Sequence, residues 1–411
     1  MEKVSVRKFP YPFKASLCIC SDIDGTDTVE DFLAIQTYLN TTRQTSLGQG
    51  IGLEIGNSFL PTRVKDTFAY FSKRPQDREI IKTFIRAGFI DCLHSYGERT
   101  FTRHQVLTIL EALDHDGCKL KTWIDHSAVP SNLGPDNSQG LGDVPDSPVY
   151  HADLSLAYGF KFAWMGRGTD VLGQEVPFTS RAFTRIFDPT HPWSSLKHLL
   201  RQSTKTILSQ VGLKRLAIHR RNLLLQPTRL RDGNRIFEFI RCNNHWHKPR
   251  PSSLKLAYML RPQALETLIA SGGATILYTH LGFIDPPELI PLPTRAALGH
   301  LADTVHKGDL FVTTTTRLLT YCLTHRYLKW DYHLSPGNVV HITIKAIDDP
   351  ITGLRPPTPE EIQGITFYVP DRQKVSLRLG DQRLSHITRN AKDHRGQESI
   401  SVPWTPLSYP L

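Results

Sequence analysis

The chain has 411 residues, of which 39% are hydrophobic and 21% are charged, and its net charge is +10. This length exceeds what one small core needs and indicates a large domain with a smaller one beside it. No stretch approaches the roughly 20 apolar residues of a membrane span, and Pro10, Pro12 and Lys14 interrupt the region where a signal peptide has its apolar core. The six cysteines are scattered through apolar segments, which is typical of reduced thiols, so we expect a cytoplasmic protein.

Apolar runs with strand character alternate with helix-period stretches over about 330 residues, which is typical of βα units. Seven strands are predicted, at residues 15–20, 51–54, 89–94, 121–125, 160–165, 274–278 and 309–313. Seven parallel strands nearly close a barrel. We therefore predict a distorted (β/α)7-type barrel over residues 1–332.

Two segments depart from this alternation. Residues 222–241 hold two apolar runs around the turn Asp232-Gly233-Asn234, which predicts a β-hairpin inserted into the barrel. Residues 337–411 change to short β runs separated by turn residues, which predicts a small β-sandwich-like module. The predicted fold class is α/β, with the barrel followed by a small all-β C-terminal domain.

Most of the positive charge lies in one region, residues 197–261. This region has fifteen Lys and Arg against two acids, Asp232 and Glu238, so the remainder of the chain carries about minus three. Such a surface suits a phosphorylated carrier, an anionic membrane, an acidic polysaccharide or nucleic acid, and a solvated face is the alternative. The region lacks a recognisable nucleic-acid-binding motif, so we do not expect nucleic acid as a partner.

The first predicted strand ends in two carboxylates, Asp22 and Asp24, followed by Gly25. Because side chains alternate along a strand, both acids face the same side at its end, where α/β folds keep their chemistry. Two neighbouring acids repel each other unless a cation or a shared proton separates them. Helix capping explains the nearby Asp27 and Glu30, but it does not explain this pair.

Three later strand ends carry histidine: His94, His126 and His280. The carboxyl ends of parallel strands meet at one mouth, so these imidazoles and the first pair of acids are expected to converge there. Imidazole and carboxylate together suit Zn²⁺ or a similar divalent ion with an open position for water. For a single histidine, a buried imidazole bonded to backbone is the alternative interpretation.

These residues carry a resemblance to a known family. Ser21-Asp22-Ile23-Asp24-Gly25 resembles the Thr-Phe-Asp-Asp-Gly motif of the polysaccharide deacetylase superfamily, the NodB-like deacetylases of carbohydrate esterase family 4 and their relatives. His94-Ser95-Tyr96-Gly97-Glu98 resembles the family's His-Ser-x-x-His motif, with glutamate in place of the second histidine. Ile23 stands at the position of the family's catalytic base, so the resemblance implies that Asp22 takes that role.

The resemblance implies a divalent metal, zinc by preference, bound by Asp24, His94 and His126, with Glu98 as the alternative third ligand. His280 corresponds to the general acid of the family's late leucine-histidine motif. Arg167 corresponds to an orienting arginine. The side chains implied to line the substrate site are those of Tyr96, Glu98, Trp164 and Arg167.

The sequence therefore predicts a metal-dependent hydrolase that removes an N-acyl group, acetyl by preference, from an amino sugar or glycoconjugate. The basic region favours an anionic substrate, such as a lipid-linked sugar at the inner face of the membrane. Two other hypotheses keep the same mouth. One is a glycoside hydrolase that uses Asp22 or Asp24 with Glu98. The other is a catalytically inactive carbohydrate-binding or scaffold protein.

Overall fold

The structure is a computed structural model that describes residues 4–177, 189, 192–242, 252–282 and 288–411. Helices and strands alternate up to residue 327, after which only strands follow. The described α-helices are α1 (Val29–Asn40), α2 (Pro75–Ala87), α3 (Arg103–His115), α4 (Ala152–Tyr158), α5 (Pro192–Gln210), α6 (Ser252–Met259), α7 (Pro262–Ser271), α8 (Leu292–His306) and α9 (Thr315–Tyr327). None of them combines the length and the hydropathy that crossing a bilayer requires.

The strands of the described residues form two larger sheets, one smaller sheet and a short ribbon. In chain order they are β1 (Ser5–Val6), β2 (Ala15–Asp22), β3 (Gln44–Thr45), β4 (Gly48–Gln49), β5 (Gly56–Phe59), β6 (Ile90–His94), β7 (Thr122–Ile124), β8 (Phe162–Trp164), β9 (Gly168–Thr169), β10 (Leu225–Arg229), β11 (Arg235–Phe239), β12 (Arg241–Cys242), β13 (Ala274–Thr279), β14 (Leu310–Val312), β15 (Leu328–Ser335), β16 (Val339–Asp349), β17 (Gly353–Arg355), β18 (Thr366–Tyr368), β19 (Val375–Leu379), β20 (Gln382–Arg383), β21 (Thr388–Asn390) and β22 (Ser399–Ser401).

The largest sheet runs in the order β10-β11-β8-β7-β6-β5-β2-β13-β12-β9, with β14 also paired to β2. All of its pairs are parallel except the hairpin β10–β11. This confirms the α/β class and the hairpin, but the sheet has eleven strands rather than seven. The hairpin extends the sheet beyond β8. Among the described residues, the two end strands of the sheet, β10 and β9, do not pair with each other.

Six of the seven predicted barrel strands are present, and the strand predicted at residues 51–54 is wrong. The backbone N–H groups of Ile51 and Leu53 donate to the carbonyls of Tyr38 and Leu39 at the end of α1, so this apolar run packs against a helix terminus. The strand starts instead at Gly56, where an added Cβ would lie 2.7 Å from Asp91 Oδ1. Apolar alternation alone did not distinguish these two partners.

The C-terminal residues form two antiparallel-rich sheets, in the orders β15-β16-β19-β20 and β1-β18-β22-β21. The short β runs expected after residue 337 are confirmed as strands β16 to β22. The sheets also include β1 from the N-terminus and β15, which begins at Leu328 directly after α9. They therefore use residues that the sequence assigned to the barrel range.

Helix α9 joins the two parts of the molecule. Its Leu318 and Leu319 are fully buried and belong to the same apolar cluster as the inward residues Cys18 and Cys20 of β2 and Ile342 of β16. Burying a leucine side chain contributes about 1.5–3 kcal/mol. Apolar contacts thus fill the space between α9, β2 and β16.

Candidate active site at the carboxyl rim of the large sheet

The carboxyl ends of β2, β5, β6 and β7 form one rim. Asp22 is the last residue of β2 and lies opposite Ser58 of β5, and His94 is the last residue of β6 and lies opposite Ile124 of β7. Cys18 and Cys20 point into the sheet's inner cluster, so the period of two along β2 places Asp22 on the same inner face.

Asp24, His94 and His126 converge at this rim. Each offers one ligand atom, and the three atoms all lie within 4.8 Å of one another. His94 Nε2 is 3.3 Å from His126 Nδ1, and the two rings meet edge to face. A carboxylate and two imidazoles at this spacing are a donor set that binds Zn²⁺ and similar divalent ions.

The chain turns sharply after each of the two histidines. Ser95 and Ser127, the residues that follow them, have positive φ angles of 55° and 48°. This left-handed conformation is costly for a residue with a Cβ and is found most often at functional sites. Behind His126, Asn132 accepts from its N–H at 3.1 Å and donates to its carbonyl at 2.9 Å, which fixes the loop.

The electrostatics of this cluster are unusual for buried groups. Burial raises the pKa of the Asp24 carboxyl, but His280, His94 and His126 around it outweigh that effect and hold the pKa well below its usual range. Burial lowers the pKa of His94 to about 4 against the opposing charges of Asp22 and Asp24, so its imidazole is neutral near pH 7. A neutral imidazole beside an ionised carboxylate is the protonation state that metal binding requires.

Asp22 is fully buried and has two differently bound oxygens. Its Oδ1 accepts from the hydroxyl of Ser58 and from Arg241 Nη1 at 3.4 Å. Its Oδ2 has no hydrogen-bond partner among the described residues and lies 3.7 Å from His94 Nε2 and 3.9 Å from His280 Nε2. One oxygen is therefore held in place, while the other faces the centre of the mouth.

Sequence reasoning did not identify Arg241. Its guanidinium packs on two rings, with its Cζ 3.7 Å from the centroid of Trp164 and 4.3 Å from that of Tyr278. Burial opposes the charged form, but Asp22 and its other neighbours outweigh this and raise the pKa of Arg241. The available signal was a charged residue directly after the apolar run 236–240.

His280 follows β13 and reaches the same mouth. Its Nε2 lies 3.3 Å from Asp24 Oδ1 and 3.1 Å from the Tyr278 hydroxyl. The side chain therefore contacts both acids of the first strand end and a phenol, which places a proton donor and acceptor beside the three clustered ligand atoms.

Two residues expected to contact substrate have other partners. Tyr96 is fully buried, packs against Trp123 and His151, and forms a 2.6 Å hydrogen bond with Ser155. Its side chain is therefore not exposed to a sugar at the mouth. Glu98 accepts from the N–H of Val64 at 2.6 Å and lies 3.5 Å from Arg63 Nε, and it is outside the cluster of potential ligands. These contacts fix the loop after β5.

Trp164 and Arg167 also differ from expectation. Trp164 is at the mouth, but one face of its indole is covered by Arg241, and its Nε1 donates to the Arg167 carbonyl at 2.6 Å. The side chain of Arg167 pairs with the buried Glu238 of β11 and with Asp136 at 3.3 Å. The arginine that contacts Asp22 is Arg241 and not Arg167.

Comparisons with known proteins do not assign a family. No protein-family model and no curated protein matches the sequence. A 4-alpha-glucanotransferase from Thermococcus litoralis has a TM-score of 0.37 at 9% identity, over 75% of this chain and 40% of that one. An endo-beta1,6-glucanase has a TM-score of 0.35 at 8% identity, over 98% of this chain and 94% of that one. Similarity this low carries no argument about function.

Proposed function

We propose that this chain is a metal-dependent hydrolase that removes an N-acyl group, acetyl by preference, from an amino sugar or glycoconjugate. The observation that carries the proposal is the convergence of Asp24, His94 and His126, whose potential ligand atoms lie within 4.8 Å of one another. Asp22 and His280 lie beside this cluster, which adds groups able to accept and donate a proton.

The residues present fit a divalent ion. Among the described residues, the buried atoms Asp24 Oδ1 and His94 Nδ1 have no well-aligned hydrogen-bond partner, and buried polar atoms of this kind are rare unless something else satisfies them. Asp24 Oδ1 lies 3.3 Å from His280 Nε2, within ion-pair distance. One carboxylate with two imidazoles is also a common ligand set of catalytic zinc. Such an ion, when bound, polarises an acyl oxygen and acidifies water.

Asp22 is the proposed general base. Its Oδ1 is held by Ser58 and Arg241, so the unpartnered Oδ2 is the oxygen available to take a proton from water as the acyl carbon is attacked. Arg241 is a positioning residue: it contacts Oδ1 of the carboxylate and fixes it in place.

His280 is the proposed general acid. Amines are too basic to leave unprotonated, so cleavage of the C–N bond needs a proton donor near the departing nitrogen. Asp24 and the Tyr278 hydroxyl both contact His280 Nε2 and hold it at the mouth. Asp22 and His280 thus divide the two proton transfers between them.

Glycoside hydrolysis is the second candidate. The observation in its favour is that both Asp22 and Asp24 contact the same nitrogen, His280 Nε2, at 3.9 and 3.3 Å, which places two carboxylates in one mouth. Paired carboxylates are the usual catalytic groups of glycosidases. The earlier pairing with Glu98 would require that residue to leave Arg63 and Val64.

Metal content and the product released separate these functions. We expect the purified protein to contain about one divalent ion per chain, and Asp24→Asn, His94→Ala and His126→Ala to lose it together with at least about a thousandfold in activity. His104→Ala, a change at an exposed histidine on α3, is the matched control and should retain both.

N-acetylated oligosaccharides are assayed for released acetate and for new reducing ends, with and without a chelator. Acetate release that the chelator abolishes supports the deacetylase. Reducing ends released without metal would instead support the glycosidase. If wild type binds the sugar without turning it over, and Asp24→Asn binds it equally well, the chain is an inactive binding protein and the proposal is overturned.

A further inference from the structure

Helix α5 presents its apolar side to solvent. Trp193 is 83% exposed, Leu200 60%, Ile207 60% and Val211, just beyond the helix, 79%. With Leu196 these residues follow the spacing of a single helical face. We call them the apolar stripe: Trp193, Leu196, Leu200, Ile207 and Val211.

The polar side of the same helix faces the protein. Ser195, His198, Gln202 and Ser209 are the residues that α5 buries. Gln202 donates to Asp170 at 2.7 Å, and Lys205 donates to the carbonyl of Gly168 at 3.0 Å. This orientation is the reverse of that of an ordinary surface helix, whose apolar side faces the core. The hydrogen bonds to Asp170 and Gly168 maintain it, so the exposed stripe belongs to the folded state.

The charged residues on α5 and in the segment that follows it are all basic. Residues 189–231 include nine Lys and Arg and no Asp or Glu. Lys197 is exposed beside the stripe. A second copy of this chain would bring two such basic surfaces together, which is unfavourable, whereas an anionic surface would complement them.

A groove of about 500 Å³ lies next to the end of α5, lined in part by Thr206, Gln210, Arg220 and Arg221. Both arginines are exposed, and neither makes a side-chain ion pair in the part of the chain that the structure describes. The one acid that lines the groove, Glu175, is already paired with Arg326. The groove therefore offers two guanidinium groups to an external anion, and guanidinium binds phosphate well.

We propose that α5 lies in the interface of an anionic lipid bilayer, with the apolar stripe among the acyl chains and Lys197, Arg220 and Arg221 at the phosphates. An apolar face that includes tryptophan, flanked by basic residues, is typical of interfacial helices. Gly168 of β9 and Asp170, directly after β9, hold α5. Gly168 also pairs with Arg241 of β12. Docking would bring the candidate active site close to the membrane surface.

Vesicle sedimentation tests this proposal without any substrate, so its outcome is independent of the proposed hydrolase. We expect wild type to bind vesicles of phosphatidylcholine with about 30% phosphatidylglycerol, and to bind pure phosphatidylcholine at least about tenfold more weakly. Leu200→Glu with Ile207→Glu should weaken binding to the anionic vesicles by at least about tenfold. Leu354→Glu alters a residue that is 71% exposed on β17 and is the matched control, with unchanged binding.

Arg220→Gln with Arg221→Gln is the second variant, since it leaves the stripe intact. It should reduce the preference for anionic over neutral vesicles, and about 0.5 M salt should have the same effect on wild type. The proposal is overturned if wild type binds neither vesicle, or if the two glutamates on α5 change nothing. It is also overturned if size exclusion finds a wild-type dimer that these glutamates convert to a monomer, because the stripe would then bind a second copy.

Discussion

Two aspartates near the carboxyl rim of the large sheet each lie beside histidine, and their surroundings differ. Asp24 follows β2, and its neighbours are imidazoles, with His280 Nε2 at 3.3 Å. Asp170 follows β9 and lies 3.3 Å from His198 Nδ1, but its Oδ2 also accepts from Arg201 and from Gln202. Of these two carboxylates, only that of Asp170 lies beside a permanently charged group in the described part of the chain, the guanidinium of Arg201.

This difference indicates which of the two carboxylates is available to bind a metal ion. A guanidinium satisfies a carboxylate permanently, since it does not lose its proton in proteins. Imidazole can be neutral and can then bind a metal through its free nitrogen. Asp170 is therefore suited to holding helix α5, and Asp24 to binding an ion. The mouth also contains a carboxylate beside a guanidinium, Asp22, but Arg241 contacts only its Oδ1 and leaves Oδ2 for proton transfer.

Outside the three proposed metal ligands, the largest effect is expected from removing that guanidinium. Arg241→Gln should reduce kcat by about a hundredfold while the metal stays bound, because Asp22 loses the group that orients it but no proposed ligand changes. It should also cost about 3–5 kcal/mol in the free energy of unfolding, since the buried Asp22 loses its ionic partner. Elemental analysis, steady-state kinetics and urea unfolding measure the three quantities.

The double variant Asp22→Asn with Arg241→Gln provides the control for stability. Removing both charges should restore part of the lost stability without restoring activity. Arg317→Gln, which breaks the ion pair with Glu54 elsewhere in the fold, should reduce stability and leave kcat unchanged. A normal kcat for Arg241→Gln would mean that Asp22 needs no orienting cation, and the comparison between the two kinds of carboxylate would fail.

The rim residues could be predicted because a buried strand that ends in a polar residue leaves a local signal. His94 directly follows a largely apolar run, and one polar residue separates such a run from Asp22 and from His280. Arg241 also follows such a run, but its role depends on the pairing of β12 with β9 and β13, which no local pattern specifies. Arg167 was chosen from its place in a family pattern, and its partner Glu238 lies on the inserted hairpin.

Helix α5 illustrates a second limit of sequence reasoning. Its apolar spacing is that of a helix that packs on a core, and periodicity does not reveal which side is buried. The orientation depends on Asp170, which is 32 positions from Gln202 in the sequence. Likewise, the apolar run 51–54 could pair with a strand or with the end of α1, and only tertiary contacts decide between them.

Asp91 provides a third environment for a buried carboxylate, beside those of Asp24 and Asp170. Asp91, on the same strand as His94, is buried and has neither a cation nor an imidazole beside it in the described part of the chain, and it accepts from the N–H of Thr316 at 2.6 Å. Burial raises the pKa of Asp91 to about 6, despite the hydrogen bonds from Thr316 that lower it. The folded state therefore binds this proton more tightly than the unfolded state. The resulting stabilisation is present below the unfolded pKa of about 4 and is lost as pH rises to about 6.

Asp91→Asn should remove this dependence. The variant keeps an acceptor for Thr316, so it should be more stable than wild type at pH 7 by up to about 3 kcal/mol, and the difference should vanish near pH 4. Urea unfolding at several pH values measures it. Asp309→Asn, which alters a half-exposed acid paired with Lys14, is the control and should not give this profile. A stability difference that stays constant between pH 4 and 7 would show that the carboxyl does not titrate in this range.

The smallest effect is expected at Asp170. Asp170→Asn keeps one acceptor for Arg201 but loses the carboxylate that also accepts from Gln202, so unfolding should become easier by about 1–2 kcal/mol. Metal content and turnover should remain at wild-type values, because none of the residues that contact Asp170 belongs to the cluster of Asp24, His94 and His126. If Asp170→Asn released the metal as fully as Asp24→Asn, a fixed cation would not distinguish a structural carboxylate from a metal ligand in this fold.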